Sequence, residues 1–543
     1  RGRYRLSETA RQYARERLRN AAAEDAATCA QHLRHYRTLA EEAAPQLTGP
    51  LQVEWFDRLE ADHDNFRAAM ERALRGGKPR ALADGLRLAG ALWWFWRVRG
   101  YWREGRDRLE AFLGRAGAAG AEDARGVFLA RALYGAGCLA SLLNEYGAAR
   151  QRLDQSLELA RELGHAPAIG DALHALGNLA LDQGEVARAQ ALLGEALTLR
   201  RAIGDLHGVS SSLLVLGTLA LGTDLSLARE RYAESLALRR TLGDKRGIAA
   251  ALNNLGEAAR EQGDYGVART FYEESLALWR DLRDSPGLSI ALGNLGNVAM
   301  EQSDYRSART LYERSLRIAR RLQDMRGVAS LVGNLGRVAH HHGEFTVARS
   351  FHQQSLALYW DLGDRWGIGL TLRNLGNVAT DQGDLESARA FHGESLSIAR
   401  GLDDRHGVAM ALYNLGDIAL RHGDERAARA LWDECLLLDR ALGVKGGSVL
   451  GGLAELASRR GDFDEARRLW GQSLREHHEI GDRKGAVECL EGLARLAVAQ
   501  QEDERAVTLL GAAAALRVAL GAPLPPDAQA EQDRLLAALR ARC

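Results

Sequence analysis

The sequence predicts an all-α solenoid of stacked helical hairpins, and three observations predict it. A segment of about 40 residues recurs ten times between residues 122 and 520. Its frame residues are Ala136, Leu176, Leu216, Leu255, Leu295, Leu335, Leu375, Leu415, Leu453 and Leu493, and seven of the nine spacings are 40. Within each copy apolar residues fall at i, i+3, i+4 and i+7, the period of a helix that buries one face. Each copy is also divided by a turn such as Gly263-Asp264, where Gly suits the left-handed end of one helix and Asp can cap the next. A hairpin of this size cannot bury its apolar face alone, so neighbours must stack into a continuous core.

Taken in order, residues 3–6 are expected to form a short strand, and Ser7 is placed to cap a helix from Glu8 to Arg19. Residues 21–78 predict a helical connector of two or three helices, broken around Pro45 to Pro50 and ended by Gly76-Gly77-Lys78-Pro79. Residues 79–121 predict an atypical capping hairpin. Its Trp93-Trp94-Phe95-Trp96 run reads as core, and its Gly100-Tyr101-Trp102 turn echoes the later Gly-Asp-Tyr turns. The ten repeats follow over residues 122–520, with a C-terminal capping helix in residues 521–543.

Composition narrows the function classes. The 543 residues are 46% hydrophobic and 27% charged with only 8 Pro, which suits closely packed helices. Lys plus Arg equals Asp plus Glu at 72 each, so no global field draws the chain onto nucleic acid or an acidic membrane. Residues 1–20 are locally basic, with seven Arg against two Glu, a patch that reads as a solvated helix face. Cys29, Cys138, Cys435, Cys489 and Cys543 form no CxxC pair and read as reduced packing residues of a cytoplasmic protein. No apolar run reaches the ~20 residues of a membrane span, and the opening lacks the order of a signal peptide. The chain begins at Arg1 rather than Met, which points to a fragment of a longer protein.

No catalytic, metal or cofactor site is expected. The phosphate-binding loop GxxxxGK[ST] is absent, and Gly76-Gly77-Lys78 runs into Pro79 without the hydroxyl that would hold magnesium. HExxH and GxSxG are missing as well. His340-His341-His342 are adjacent on one helix and point in three directions, which does not make a metal site.

In the copy from Gly247 to Asp284 the first helix runs through Ala250, Leu252, Leu255, Gly256 and Ala259. The second runs through Ala268, Tyr272, Ser275 and Leu276. Across the copies the aromatic slot reads Tyr232, Tyr272, Tyr312, His352, His392, Trp432 and Trp470. This pattern resembles the tetratricopeptide repeat (TPR), which implies a right-handed superhelix whose first helices line a concave groove. The longer unit without a closing Pro is similar to the repeats of kinesin light chain and of Pins-type adaptors, which hold peptides in that groove. A second resemblance covers the ends. Residues from Arg3-Tyr4-Arg5-Leu6 to Ala14, from Trp55-Phe56-Asp57-Arg58 to Phe66, and Leu509-Leu510-Gly511-Ala512 with Leu524-Pro525-Pro526 look like parts of bacterial STAND-type signalling ATPases. These share the plan of MalT-like and AfsR-like transcription regulators, in which an ATPase and a winged helix precede a TPR sensor. The resemblance makes residues 1–20 the remnant of the winged helix and places an ATPase domain upstream in the parent chain.

Asn254, Asn294, Asn334, Asn374 and Asn414 occupy one first-helix position in five successive copies, the position that in the resembling repeats lines the groove. Stacked helices lie about 10 Å apart and an extended peptide rises ~3.3 Å per residue, so one Asn meets every third peptide residue. An amide both donates and accepts, and can hold a peptide main chain without reading its sequence. Asn253, Asn297, Arg337, Arg373, Asn377 and Tyr413 on the same helices, with Glu257, Arg260, Met300, His340 and Asp417, would supply selectivity. The other role open to each Asn is to tie its repeat to a neighbour. Flanking copies replace it with Gly135, Ala175, Val215, Gly452 and Gly492. The sequence thus reads as a non-enzymatic scaffold for a protein or peptide segment, the sensor arm of a bacterial regulator. Its alternatives are a stand-alone adaptor joining two proteins, a small-effector sensor, and an enzyme with an unrecognised groove site.

Overall fold

The computed structural model describes residues 22–118, 126–221, 223–443, 445–479, 482–520, 532–537 and 539. The strand expected at residues 3–6, the helix Glu8–Arg19 and the winged-helix remnant lie outside the described residues, as does most of the segment 521–543. Every regular element among the described residues is helical. The chain is an all-α solenoid of tandem helix pairs, and it divides into two compact units, residues 1–331 and 332–543, with the boundary inside helix Met325–His341.

In the first unit the connector consists of helix Ala22–Ala43, a 3-10 turn Ala44–Thr48, and helices Gln52–Ala61 and His63–Gly76. The break falls where Pro45 removes an amide from the ladder. Gly77, at φ 62°, ends the last of these helices, and Pro79 opens helix Pro79–Arg99, which pairs with Trp102–Ala118. One core joins Phe56, Phe66, Met70, Leu92, Phe95 and Trp96 to Ala132 and Ala136 of the first repeat. Trp93, Phe95 and Trp96 are buried as expected, whereas Trp94 is half-buried and faces a cavity. Five repeat pairs follow: Val127–Leu142 with Tyr146–Glu162, Ala166–Asp182 with Val186–Ala202, Leu206–Leu221 with Leu225–Leu242, Lys245–Glu261 with Tyr265–Leu282, and Ser285–Glu301 with Tyr305–Leu322.

The connector reaches far along this array. Arg99 Nη1 donates to the carbonyl of Leu282 at 2.8 Å, and its Nη2 meets Asp57 at 2.8 Å. Gln52 Oε1 accepts from the amide of Arg246 at 3.3 Å, and Leu322 is buried in the connector's own core.

In the second unit, after the remainder of helix Met325–His341, come Phe345–Leu362, Arg365–Asp381 with Leu385–Gly401, and Arg405–Arg421 with Glu425–Leu442. Gly447–Arg459 with Phe463–Glu479 and Arg483–Ala499 with Asp503–Leu520 complete it. Leu539 packs on Ala494, Ala497, Ala506 and Leu510 and covers the last pair.

Most pairs are locked by a recurring set of contacts, Leu153 and Leu193 taking the place of the ring in the first two. The Gly after the frame Leu faces the aromatic slot of its own hairpin: a Cβ on Gly256 would lie 2.8 Å from Tyr272 Cε1, and one on Gly296 would lie 2.6 Å from Tyr312 Cε1. Gly336 against His352 and Gly376 against His392 repeat the contact. The small residue is therefore required by a ring in the same pair. A second-helix Ser donates to a first-helix carbonyl 26 residues earlier: Ser156 to Ala130 at 2.8 Å, Ser235 to Ser210 at 2.9 Å, Ser275 to Ala249 at 2.8 Å and Ser395 to Gly369 at 2.9 Å. Cys435 replaces it toward Ala409 at 3.2 Å.

Asp caps open both kinds of helix, Asp264 accepting from Val267 N at 3.2 Å and Asp284 from Gly287 N at 2.8 Å. Gly263 adopts φ 78° in the turn before Asp264, and Ser303 holds the equivalent place at φ 59°. The inward-facing Ala of the second helices is followed by an Arg, as in Ala268-Arg269. In several copies that Arg reaches a Gln 33 residues on, in the next repeat: Arg229 to Gln262 at 3.1 Å, Arg269 to Gln302 at 2.7 Å and Arg349 to Gln382 at 2.9 Å. Arg309 instead turns to Glu313 on its own helix at 3.2 Å.

Candidate functional site

The five ladder asparagines are all half-buried, at one register of five successive first helices, because the frame Leu and the Gly beside them point into the pair. Their side chains divide into two sets. Asn294 Nδ2 donates to Asn253 Oδ1 of the preceding repeat at 3.1 Å, and Asn414 Nδ2 donates to Asn377 Oδ1 at 3.3 Å. Asn254, Asn334 and Asn374 have no side-chain hydrogen bond among the described residues. The tie between repeats and the open amide thus both occur in one ladder.

The expected selectivity residues divide likewise. Asn297 Oδ1 accepts from the Tyr312 hydroxyl at 2.8 Å, so it serves its own hairpin. Tyr413 gives its carbonyl to Trp432 Nε1 at 3.1 Å, and burial, with Asp417 nearby, pushes its phenol above the usual value. Arg337 and Arg373 are half-buried and ion-paired to no described residue. Burial holds the Arg373 guanidinium below its usual value, with Asp404 opposing and Arg337 adding to the shift. His340 Nε2 meets Asp381 Oδ2 at 2.7 Å, and no group of three His, Cys, Asp or Glu converges among the described residues.

A second feature was not found from sequence. A cavity of about 740 Å³ in the first unit is lined by the first helices of the first four repeats together with connector residues such as Trp93, Trp94 and Arg97. Its wall holds buried ion pairs. Arg200 Nη2 meets Asp171 at 2.7 Å while its Nη1 donates to the Gly208 carbonyl and Ser212 Oγ, each at 3.0 Å. Arg239 pairs with Asp244, and Arg246 Nε meets the fully buried Asp284 at 2.8 Å. Burial alone would raise the Asp244 carboxyl, but His207 and Arg239 outweigh it and hold the group well below the usual range. The spacing of Arg131, Tyr134 and Cys138 on one first-helix stripe was the signal available. It stood in the first copy, where the repeat pattern is weakest.

No helix among the described residues is long and apolar enough to cross a membrane. The tetratricopeptide-repeat family profile matches residues 170–204, 247–321, 288–359 and 367–440. No curated protein sequence matches the chain. Among solved structures it is similar to the STAND protein with a tetratricopeptide repeat sensor PH0952 from Pyrococcus horikoshii, at 11% identity, 82% coverage of this chain, 72% of that one and a TM-score of 0.47. A Rap protein complexed with competence and sporulation factor aligns at 15% identity, 65% and 98% coverage and a TM-score of 0.48. BtubC (BKLC) from P. vanneervenii aligns at 21% identity, 41% and 93% coverage and a TM-score of 0.35. The recurrent Gly–aromatic pair, the 40-residue period and the matched segments agree, and the chain carries tetratricopeptide repeats.

Proposed function

We propose that the first-helix face of the repeats binds a protein or peptide segment, with Asn334 and Asn374 holding its main chain and Arg337 and Arg373 favouring carboxylates along it. The observation that carries the reading is the uneven use of the ladder. Asn294 and Asn414 are tied to neighbouring repeats, yet Asn334 and Asn374 stay half-exposed with no partner among the described residues, next to two guanidiniums in the same condition. Half-exposed amides and guanidiniums held by no neighbour are free to exchange water for the carbonyls, amides and carboxylates of a bound segment. Such a scaffold would serve as the sensor arm of a bacterial regulator, with protein binding coupled to an ATPase elsewhere in the parent. The resemblance of the segments after Arg3 and Trp55 to STAND-type ATPases supports that role.

The test separates ligand from scaffold. N334A/N374A should melt like the wild type, since Ala has the higher helix propensity. It should lose partner captured from a native extract, with affinity down by roughly one to two orders of magnitude. N294A, which breaks the bond to Asn253, should instead cost about 0.5–1.5 kcal/mol of stability. Full partner affinity in N334A/N374A at unchanged melting would sink the reading.

A further inference from the structure

The cavity in the first unit is separate from the asparagine ladder, none of whose residues lines it. Five arginines line it: Arg97, Arg131, Arg200, Arg239 and Arg246. The carboxylates on its wall are already engaged, Asp171 by Arg200, Asp244 by Arg239 and Asp182 by Arg326 at 3.5 Å, while Arg246 is held by Asp284 behind the wall. Arg97 and Arg131 remain, and neither guanidinium has a hydrogen bond or ion pair to any described residue. Burial pulls the Arg97 guanidinium down to about 10, with the nearby Arg246 charge adding to the effect, so it still carries its charge at neutral pH.

The other orphaned groups of the wall have the same sense. His174 Nε2 lies 3.1 Å from Asn178 Nδ2, which donates to it, so the proton sits on Nδ1, a buried atom without a partner. Burial, reinforced by Arg200, holds His174 well below its usual value and therefore neutral. Trp94 Nε1 and Arg239 Nε are buried without a hydrogen-bond partner as well, and Arg200 Nε has only Asp205 Oδ2 at 3.7 Å. Every orphan whose role is fixed is a donor. The wall is short of acceptors and holds two guanidiniums without an ion-pair partner, on which Asp284, and Asp171 with Glu41, act only at longer range, an unfavourable state for charges drawn away from water. Water can donate and accept but cannot cancel the charge. The guanidiniums of Arg97 and Arg246 lie 5.0 and 4.9 Å from the centre of the Trp94 ring, and Trp93, Tyr134, Leu214 and Val215 add apolar wall.

We infer that this cavity is a binding site for a small organic anion, an aromatic or apolar body bearing a carboxylate or phosphate that Arg97 and Arg131 clasp. The volume falls within the range of about 300–1,000 Å³ typical of small-molecule sites. Guanidinium forks match both anionic groups in bidentate geometry.

Calorimetric titration of the full chain with 1-naphthyl phosphate, 1-naphthoate and neutral 1-naphthol tests the inference and distinguishes phosphate from carboxylate. At least one of the two anions should bind saturably with one site, about tenfold or more tighter than 1-naphthol. R97Q/R131Q should weaken that anion by about ten- to a hundredfold while leaving 1-naphthol unchanged. N334A/N374A should leave all three unchanged, so failure here and failure of the groove reading are told apart. Equal affinity for 1-naphthol and both anions, no saturable anion binding below about 1 mM, or full anion affinity in a folded R97Q/R131Q would overturn it. Should that variant not fold, the wild-type preference between anion and 1-naphthol decides alone.

Discussion

His352 and His392 stand where Tyr232, Tyr272 and Tyr312 stand in earlier repeats, fully buried against Gly336 and Gly376. Burial lowers both to about 4, helped by His340 and Arg337 at the first and by Arg373 at the second. In the unfolded chain a histidine titrates near 6.5. Above that pH both states are neutral and the two residues contribute no pH dependence. As pH falls from about 6.5 to 4 only the unfolded chain gains protons, so each histidine should remove up to about 1.4 kcal/mol per pH unit from the second unit. H392Y restores a hydroxyl opposite Asn377, as Tyr312 has opposite Asn297, and H352Y/H392Y should flatten the fall in melting temperature between about pH 7 and pH 5. An equally steep fall in the double variant would remove the histidines as its cause. The aromatic slot was legible in the sequence because it recurs every 40 residues. The division of the ladder was not, since whether Asn294 meets Asn253 or solvent depends on rotamers and on what stands one repeat away.

At the scale of the helix pair, capping Asp, turn Gly and apolar period were all readable, because each acts within a few residues along the chain. The serine-to-carbonyl bond was present in the sequence only as a small polar residue on an apolar face. Its partner lies 26 residues back and becomes visible once the two helices are laid together. The Arg269 contact is hidden in the sequence for a related reason. An i,i+4 pair on one helix is the local guess, but stacking brings Gln302 within reach and the long side chain takes the inter-repeat partner. The Gly–ring contact gives a direct test. Gly296→Leu drives a side chain into Tyr312 and should cost about 1–3 kcal/mol. Adding Tyr312→Ala should return part of that loss, so the two effects should be non-additive in urea unfolding. Strict additivity would show that Gly296 does not face the ring.

For the molecule as a whole, equal numbers of basic and acidic residues and the absence of a phosphate-binding loop set what it should not do. The chain should show no magnesium-dependent ATP hydrolysis in a phosphate-release assay. It should also show no tight duplex-DNA binding in a gel shift at physiological salt, because charge neutralisation of the backbone dominates such binding. A shift that persists without residues 1–20 would reveal a basic surface elsewhere. The period of 40 made the array legible at this scale. The return of the connector onto it was not, for Arg99 and Leu282 are 183 residues apart and no repeat pattern links them. The closed set of contacts within each pair also bears on inheritance. Gly256 finds its ring, and Ser275 its carbonyl, inside one hairpin, while Arg269 finds its Gln at the same register of the next copy. Duplicating or deleting a stretch of 40 residues in the regular part therefore keeps each Gly with a ring and each Ser with a carbonyl, wherever the cut falls. A stretch of half that length strands a glycine without its ring, so helices can be gained or lost during descent only two at a time, as one complete hairpin.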